Sequence, residues 1–250
     1  MLLVAVIGFG STAWAAHPLI TDDTGTQGKG NAQLELNGAY GWDTAVDAGS
    51  DVKTRKAAGE TVLSYGVLES LDVILAMAQV RTEESVDGAM ARERGSSDAG
   101  LLVKWRFWER EHYSFAVKPG LLIPLGCENK ELGAGKYGYV GFLAATQETG
   151  DLAFHENIGY MRYNNRNDER ENLYHLSVAA EYAMTDRLKV VANVRQEQNP
   201  DRSSRRKLTF LLGGLIYALT EDVDIDIGYQ AGLSEPEMDS LVLAGMAVRF

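Results

Sequence analysis

The sequence is poor in cysteine and in clustered positive charge, and each shortage excludes a class of protein. Its one cysteine, Cys127, cannot form an intramolecular disulfide. No cysteine or histidine residues stand at the spacing of a zinc site, so we expect neither a structural metal nor a cofactor. The formal net charge is -11, and the longest cationic run is Arg205-Arg206-Lys207. Nucleic acid is not an expected partner, because phosphate binding needs a clustered cationic surface.

Long apolar runs are also missing, except at the start of the chain. Residues 1–16 form an apolar run that ends in the small-residue pattern Ala13-x-Ala15. This pattern is typical of a secretory signal peptide cleaved near Ala15 or Ala16, although no Lys or Arg precedes the run. The run is shorter than the ~20 residues that a helix needs to span a bilayer. We expect residues 17–30 to be a periplasmic lead-in and residues 31–250 to form the folded domain.

Alternation of apolar and polar residues dominates the chain from Asn31 onward. Asp222, Asp224 and Asp226, for example, alternate with Val223, Ile225 and Ile227. A period of two predicts strands with one apolar face and one polar face, because successive side chains of a strand point to opposite sides. The predicted strands are residues 31–42, 57–68, 71–80, 99–109, 113–124, 137–148, 151–162, 172–184, 187–197, 207–219, 222–232 and 240–250.

The breaks between these strands alternate between two kinds. Tight polar turns stand near residues 69–70, 110–111, 149–150, 185–186 and 221–222, and longer hydrophilic loops stand at residues 43–56, 81–98, 126–136, 164–171, 198–206 and 233–239. This arrangement predicts an all-β protein: an antiparallel transmembrane β-barrel of about twelve strands, with short periplasmic turns and longer extracellular loops. The expected location is the outer membrane of a Gram-negative bacterium, in contact with its lipids.

Aromatic residues are predicted to form two belts. Tyr40, Trp42, Tyr137, Tyr139, Tyr160, Tyr163, Tyr174 and Tyr229 gather at the end with the long loops, and Trp105, Phe107, Tyr113, Phe115, Tyr182 and Phe250 gather at the other end. Amphipathic rings prefer both interfaces of a membrane, so the two belts favour a barrel over a soluble sandwich. The last strand, 240–250, is apolar on one face and ends on Phe250. We expect this strand to pair with the first one, and Phe250 to be an assembly signal recognised by the barrel-assembly machinery.

Many polar and charged side chains have the inward parity. The predicted pore-lining residues are Glu35, Lys104, Arg106, Lys118, His155, Asn157, Glu181, Lys189, Arg195, Asp224 and Asp226. Burying so many charges requires either water or mutual pairing. Two interpretations follow: a hydrated pore of mixed charge, or a closed lumen in which acids and bases form a structural network. The segment 210–217 is apolar on both faces, and its inward leucines are expected to pack against something in the lumen or to mark a bend.

Signatures of catalysis and metal binding are weak. Residues 25–30 are rich in glycine but have the wrong spacing for a nucleotide-binding loop. Asp22 and Asp23 have no further ligands for a cation and are expected to be solvated. Folding a hairpin about residue 167 pairs His175 with Gly159 and leaves His155 about 13 Å away, which is too far for a shared metal.

The opening of the predicted mature chain, residues 17–31 followed by Gln33-Leu-Glu-Leu-Asn37, resembles that of bacterial outer-membrane barrels of the phenol-degradation meta-pathway family. Weaker similarities occur at residues 64–66 and 154–160 and in the closing hairpin. The resemblance implies a channel for hydrophobic compounds. Residues 124–128 depart from the family's usual Pro-Thr-Gly-Asp-like stretch, so no role is carried over to that loop.

The sequence therefore predicts an outer-membrane channel for passive uptake of small solutes, hydrophobic or aromatic ones in particular, and not an enzyme. The alternative is a structural or surface-interaction barrel with a closed, charged lumen. A less favoured alternative is an outer-membrane lipid hydrolase with a Ser/His pair on its outer wall. Against the hydrolase, His155 and His175 have the inward parity, and His112 lies in a short turn without an evident serine partner.

Overall fold

The computed structural model describes residues 17–47, 49–130, 132–235 and 237–250. The predicted signal peptide, 1–16, lies outside the described residues. The strands are β1 (Ala32–Asp47), β2 (Ser50–Leu68), β3 (Leu71–Val86), β4 (Ala89–Ser96), β5 (Ala99–Arg110), β6 (Tyr113–Ile123), β7 (Gly138–Thr149), β8 (Leu152–Arg162), β9 (Asn172–Ala183), β10 (Leu188–Glu197), β11 (Leu208–Ala218), β12 (Val223–Gly232) and β13 (Ser240–Arg249). A 3-10 turn covers Glu128–Lys130. No helix in the described ranges is long and apolar enough to cross a membrane.

Among the described residues, twelve of these strands close into an antiparallel barrel, as predicted. Each barrel strand pairs with the next one in the chain, except that β3 pairs with β5 because β4 lies outside the ring. β13 closes the ring against β1, in a register that runs from Gln33 opposite Arg249 to Trp42 opposite Ser240. The predicted pairing of the last strand with the first is therefore confirmed. Closure leaves the ring without free edges, which is the condition for a sheet that spans lipid.

Two of the predicted extracellular loops, 43–56 and 81–98, are wrong: both are mostly strand. β1, β2 and β3 continue beyond the barrel, and β4 pairs with β3 from Gln79 opposite Ser96 to Val86 opposite Ala89. Charged and polar side chains on both faces hid these strands, because a strand beyond the hydrocarbon layer needs no apolar face. We call residues 43–47, 50–56, 79–86 and 89–96 the outer extension.

The two faces of the barrel wall differ as the alternation predicts. Large exposed residues of the outward face are apolar, such as Leu63 and Leu75, while many inward residues are buried. Seven of the eight aromatics predicted for the outer belt are exposed, and Tyr163 is the exception. It packs against buried lumen residues because it shares the inward parity of Met161. An apolar outward face flanked by aromatics is typical of a barrel in contact with lipid.

Candidate functional site

The N-terminal segment crosses the lumen of the barrel. Ile20 N and Thr21 N donate to Asn193 Oδ1 over 2.7 and 3.0 Å, and Asn193 Nδ2 donates to Thr21 Oγ1 over 2.7 Å. Asn193 lies on the inward face of β10 and is buried. We call residues 17–27 the strap. Residues 17–30 are predicted to be a periplasmic lead-in, whereas the strap lies inside the lumen. Its polar groups bind partners on the inner wall, and the sequence does not reveal these contacts.

Asp22 fixes the centre of the strap. Its carboxylate accepts hydrogen bonds from Lys104 Nζ, at 3.0 Å, and from Lys118 Nζ. Asn157 holds the backbone of the same residue, accepting from Asp22 N and donating to Asp22 O, both over 2.8 Å. Lys118 and Asn157 stand near the middle of β6 and β8, so this cluster occupies the mid-height of the barrel. Four buried polar residues thus connect the strap to one side of the wall.

Asp23 makes a weaker attachment beside it. Its carboxylate accepts from Lys104 Nζ over 2.9 Å, but its side chain is 36% exposed, against 5% for Asp22. The expectation that both acids are solvated is wrong for Asp22. Two inward lysines from the paired strands β5 and β6 converge on Asp22, because Trp105 lies opposite Val117 in that hairpin.

The upstream end of the strap lies against the opposite wall. His17 Nδ1 is 2.5 Å from Asp226 Oδ1. Pro18 fills a space that exists because Gly214 and Gly228 have no side chains: a Cβ on either would lie 2.9 Å from a Pro18 carbon. Glycine pairs in strands often mark such a close approach.

Leu19 and Ile20 explain why the segment 210–217 is apolar on both faces. They form a buried cluster with the inward residues Phe210 and Leu212 of β11. The prediction that the inward leucines pack against something in the lumen is therefore confirmed, and that something is the strap.

The downstream end of the strap leaves the lumen at the periplasmic side. Thr24 N donates to Thr146 Oγ1 over 3.1 Å, and the Thr24 hydroxyl is hydrogen-bonded to that of Ser114. Gln27 N donates to the Asp72 carboxylate at 3.0 and 3.2 Å. The chain then reaches the start of β1 beside the turn between β2 and β3.

Apolar side chains line much of the outer half of the lumen, above the strap. One buried cluster lies on the wall formed by β2, β3 and β5 to β9; we call it the apolar wall. Its residues are Val62, Ile74, Ala76, Leu102, Leu122, Val140, Phe142, Met161 and Leu173. The second cluster, around Leu19 and Phe210, lies on the other half of the ring. A water-filled porin has a polar interior, so this lining is unusual for a simple aqueous pore.

A buried ionic group stands in the outer half of the lumen. Arg195 lies 3.2 Å from Glu197 and 2.9 Å from Glu237, and its guanidinium stacks over the Phe210 ring at 4.4 Å. Glu237 comes from the segment between β12 and β13. It is a lumen residue that the sequence does not reveal, because residues 233–239 are predicted to form an extracellular loop.

A serine and a histidine meet next to this group. His175 Nε2 lies 2.9 Å from Ser177 Oγ, and His175 Nδ1 lies 3.9 Å from Glu197 Oε1. The order of groups resembles that of a hydrolytic triad. However, Ser177 is 1% exposed and faces the lumen, and the carboxylate is too far from Nδ1 for a hydrogen bond. The pair does not form the outer-wall site that a lipid hydrolase would need.

The periplasmic mouth contains a polar cavity of about 180 Å³. His155 Nε2 lies 3.5 Å from Glu181 Oε1, whose other oxygen accepts from Lys189 Nζ over 3.0 Å. Arg106 also lines this cavity. The predicted register of Gly159 opposite His175 is confirmed, so the two histidines lie at different heights. The described part of the chain holds no group of three or more potential metal ligands.

Eight of the eleven predicted pore-lining residues divide into three sets along the lumen, and the other three form separate contacts. Lys104, Lys118 and Asn157 bind the strap; His155, Glu181, Lys189 and Arg106 surround the periplasmic cavity; and Arg195 belongs to the outer ionic group. Asp226 contacts His17, while Asp224 pairs with Arg249 and Glu35 accepts from Gln33. Their role as the lining of an open pore stays a prediction.

Phe250 lies at the periplasmic end of the seam that closes the ring. Its backbone exchanges hydrogen bonds of 2.9 and 3.1 Å with Ala32, and its ring is exposed. The geometry is that of a terminal strand finished at the membrane interface. Its function as an assembly signal stays a prediction.

A closed twelve-stranded ring with an apolar outward face, aromatic belts and an inward polar network defines an outer-membrane β-barrel. The chain belongs to the family described as "Putative MetA-pathway of phenol degradation", whose model matches residues 21–250. No curated protein sequence matches this chain.

Three solved structures illustrate the likeness of fold. An outer membrane channel from Pseudomonas putida F1 has a TM-score of 0.72 and 16% identity, over 91% of this chain and 98% of that one. The translocator domain of the autotransporter NalP from Neisseria meningitidis has a TM-score of 0.54 and 12% identity, over 89% of each chain. The KdgM porin has a TM-score of 0.56 and 9% identity, over 87% of this chain and 99% of that one. At these identities the likeness shows the fold alone.

Proposed function

We propose that this protein is an outer-membrane channel for passive uptake of small hydrophobic or aromatic compounds, and that the strap is its gate. The observation that carries the proposal is the apolar wall, which lines the outer half of the lumen down to the strap. An inward apolar surface offers no advantage to a hydrated solute, whereas it lowers the free energy of an apolar one. Movement down a concentration gradient needs no catalytic residue, and selectivity arises from the lining of the path.

The family to which the chain belongs supports the choice of solute, since its description refers to phenol degradation. The P. putida structure is described as an outer membrane channel, and the same role is proposed here for this chain. Two buried ionic groups stand in the path of a solute through the lumen. One is Asp22 with Lys104 and Lys118, and the other is Arg195 with Glu237. Displacing the strap breaks the first group and leaves the barrel wall intact, because every wall strand keeps both neighbours.

Uptake of a labelled aromatic compound tests this function. The protein is expressed in a Gram-negative host whose intact outer leaflet slows the entry of apolar compounds, and the initial uptake rate of a monoaromatic hydrocarbon is compared with that of a sugar of similar mass. We expect faster uptake of the aromatic compound only. The variant Leu122→Asn/Leu173→Asn places two amides on the apolar wall and should slow aromatic uptake about tenfold, because an amide in an apolar surrounding is costly.

The competing function is a structural barrel with a permanently closed lumen, favoured by the same ionic groups. Equal aromatic uptake in cells with and without the protein would support that alternative. Heat-modifiable mobility on an unboiled gel confirms that the wild type and the variant are both folded, so that a slower rate reports on the lining.

A further inference from the structure

The outward face of the outer extension carries a cluster of cations. Lys53 and Arg55 of β2 and Arg81 of β3 have the parity of the lipid-facing residues below them. Arg92 and Arg94 of β4 lie opposite outward residues of β3. The register places Arg94 directly opposite Arg81 and Arg92 directly opposite Glu83, which in turn faces Arg55. Side chains opposite each other in an antiparallel pair share one face, so the five cations form one surface. We call it the basic patch.

Acidic residues neutralise little of this patch. Glu83 lies 2.6 Å from Arg81 and 3.0 Å from Arg92, and Asp51 lies nearer the tip of the extension. The hydrogen bond from Arg81, together with the charges of Arg92 and Arg55, holds the pKa of Glu83 below its usual value. Both arginines remain largely exposed, at 58% and 61% of their side chains, so they have room for further partners.

The remaining three cations of the basic patch differ from Arg81 and Arg92 in their ion pairing. Lys53, Arg55 and Arg94 form no ion pair with any described residue. A chain of net charge -11 thus gathers five cations on one small face, where mutual repulsion would be relieved by a bound anion.

The height of the basic patch matches the membrane interface. Arg55 lies directly opposite Trp42 on β1, and Arg81 lies opposite Ala57, which faces Tyr40. Tyr40 and Trp42 belong to the outer aromatic belt, where amphipathic rings sit at the level of lipid headgroups. On β3, the lipid-facing Met77 stands four residues below Arg81, or about 13 Å along the strand. The cations therefore meet the headgroup layer of the outer leaflet.

Two other outward cations at the outer ends of strands have partners of their own. Arg162 at the end of β8 lies 2.6 Å from Glu171, and Lys207 beside β11 donates to Gln196 over 2.9 Å. The basic patch is thus confined to one side of the barrel.

We propose that the basic patch binds the phosphorylated sugar headgroup of lipopolysaccharide in the outer leaflet. Guanidinium groups recognise phosphate through paired, charge-assisted hydrogen bonds, and four of the five cations are arginines. β2 and β4 are two strand spacings apart, roughly 10 Å, a span that reaches across a headgroup with two phosphates. Acyl chains of the same lipid would lie against the apolar outward face below, which includes Leu75 and Met77.

Titration with lipid A tests this assignment. The protein is placed in phosphatidylcholine nanodiscs and titrated with lipid A that carries two phosphates, with the same lipid A lacking both phosphates, and with inorganic phosphate. We expect tight binding of the bisphosphorylated lipid only. The variant Arg55→Gln/Arg81→Gln/Arg92→Gln should weaken it about tenfold or more, because each lost group removes a charge-assisted hydrogen bond.

Two further variants distinguish specific recognition of the phosphorylated headgroup from a general effect of charge and from misfolding. Glu83→Gln removes the competing carboxylate and should tighten binding about two- to fivefold, a gain that damaged protein would not show. The matched control Arg162→Gln/Lys207→Gln removes two outward cations elsewhere on the rim and should change affinity less than twofold. Equal affinity of the wild type for the dephosphorylated lipid, unchanged binding by the triple variant, or inorganic phosphate binding as tightly as lipid A would each overturn the proposal.

Discussion

Deleting residues 17–27 is expected to raise the time-averaged conductance of the barrel about 100-fold or more. The strap is held at mid-height by Asp22, whose buried carboxylate contacts Lys104 and Lys118. Breaking a buried ion pair costs about 3–5 kcal/mol, so the displaced strap should be populated at about 1% or less. Without the strap, the lumen loses both this group and the side chains of Leu19 and Ile20, which fill the opposite wall.

The measurement is single-channel recording of purified protein in planar bilayers, comparing the deletion variant with the wild type. The deletion leaves residues 1–16 in place so that export is unaffected. Heat-modifiable mobility provides the control for a folded ring, which we expect to survive because strand pairing does not involve the strap. A folded deletion variant with wild-type conductance would contradict the assignment of the strap as the barrier.

Replacing Asp22 with alanine is expected to release the strap almost as completely. Asp22→Ala leaves Lys118, which is 2% exposed, and Lys104, which is 7% exposed, without their shared carboxylate. Removing the acid of a buried ion pair is costly, and the simplest relief is water entering the lumen as the strap leaves. The open fraction should rise by about two orders of magnitude.

Asp23→Ala is the matched control for this variant. Asp23 also binds Lys104, but its carboxylate is partly exposed, whereas the buried Asp22 also binds Lys118 and Asn157. A partly exposed pair contributes about 1 kcal/mol or less, so conductance should change less than about fivefold. Channel recordings and protease sensitivity of the strap report on both variants. Equal effects of the two substitutions would show that Asp22 has no special role.

Much of the fold follows from the period-two pattern, and the reason is the lipid. Residues such as Leu63 and Leu75 must be apolar, while their inward neighbours need not be, so most membrane-spanning strands carry a readable alternation. The same reasoning failed above the hydrocarbon layer. The strands at residues 50–56 and 79–86 carry mostly polar or charged side chains on both faces, so no alternation of apolar and polar residues marks them.

The candidate site was only partly predictable, because it depends on contacts between distant parts of the chain. Lys104 and Lys118 could be assigned to the inner face, but their partner Asp22 could not be identified, since nothing in residues 17–30 indicates that they enter the lumen. One signal was available: the two-faced apolar segment around Leu212 implied an occupant of the lumen. The basic patch was also hidden, because its cations come from three strands and form no run in the sequence.

The central claim is that solute passes through the lumen only when the strap moves, and a reversible crosslink tests it most directly. The hydroxyls of Thr24 and Ser114 are hydrogen-bonded, so Thr24→Cys/Ser114→Cys, in a Cys127→Ser background, places two thiols within reach of each other. The measurement is the initial uptake rate of the labelled monoaromatic hydrocarbon by cells with the crosslink oxidised and then reduced. We expect the oxidised form to match cells without the barrel and the reduced form to match the wild type. Wild-type uptake in both redox states, with the crosslink verified, would contradict the account.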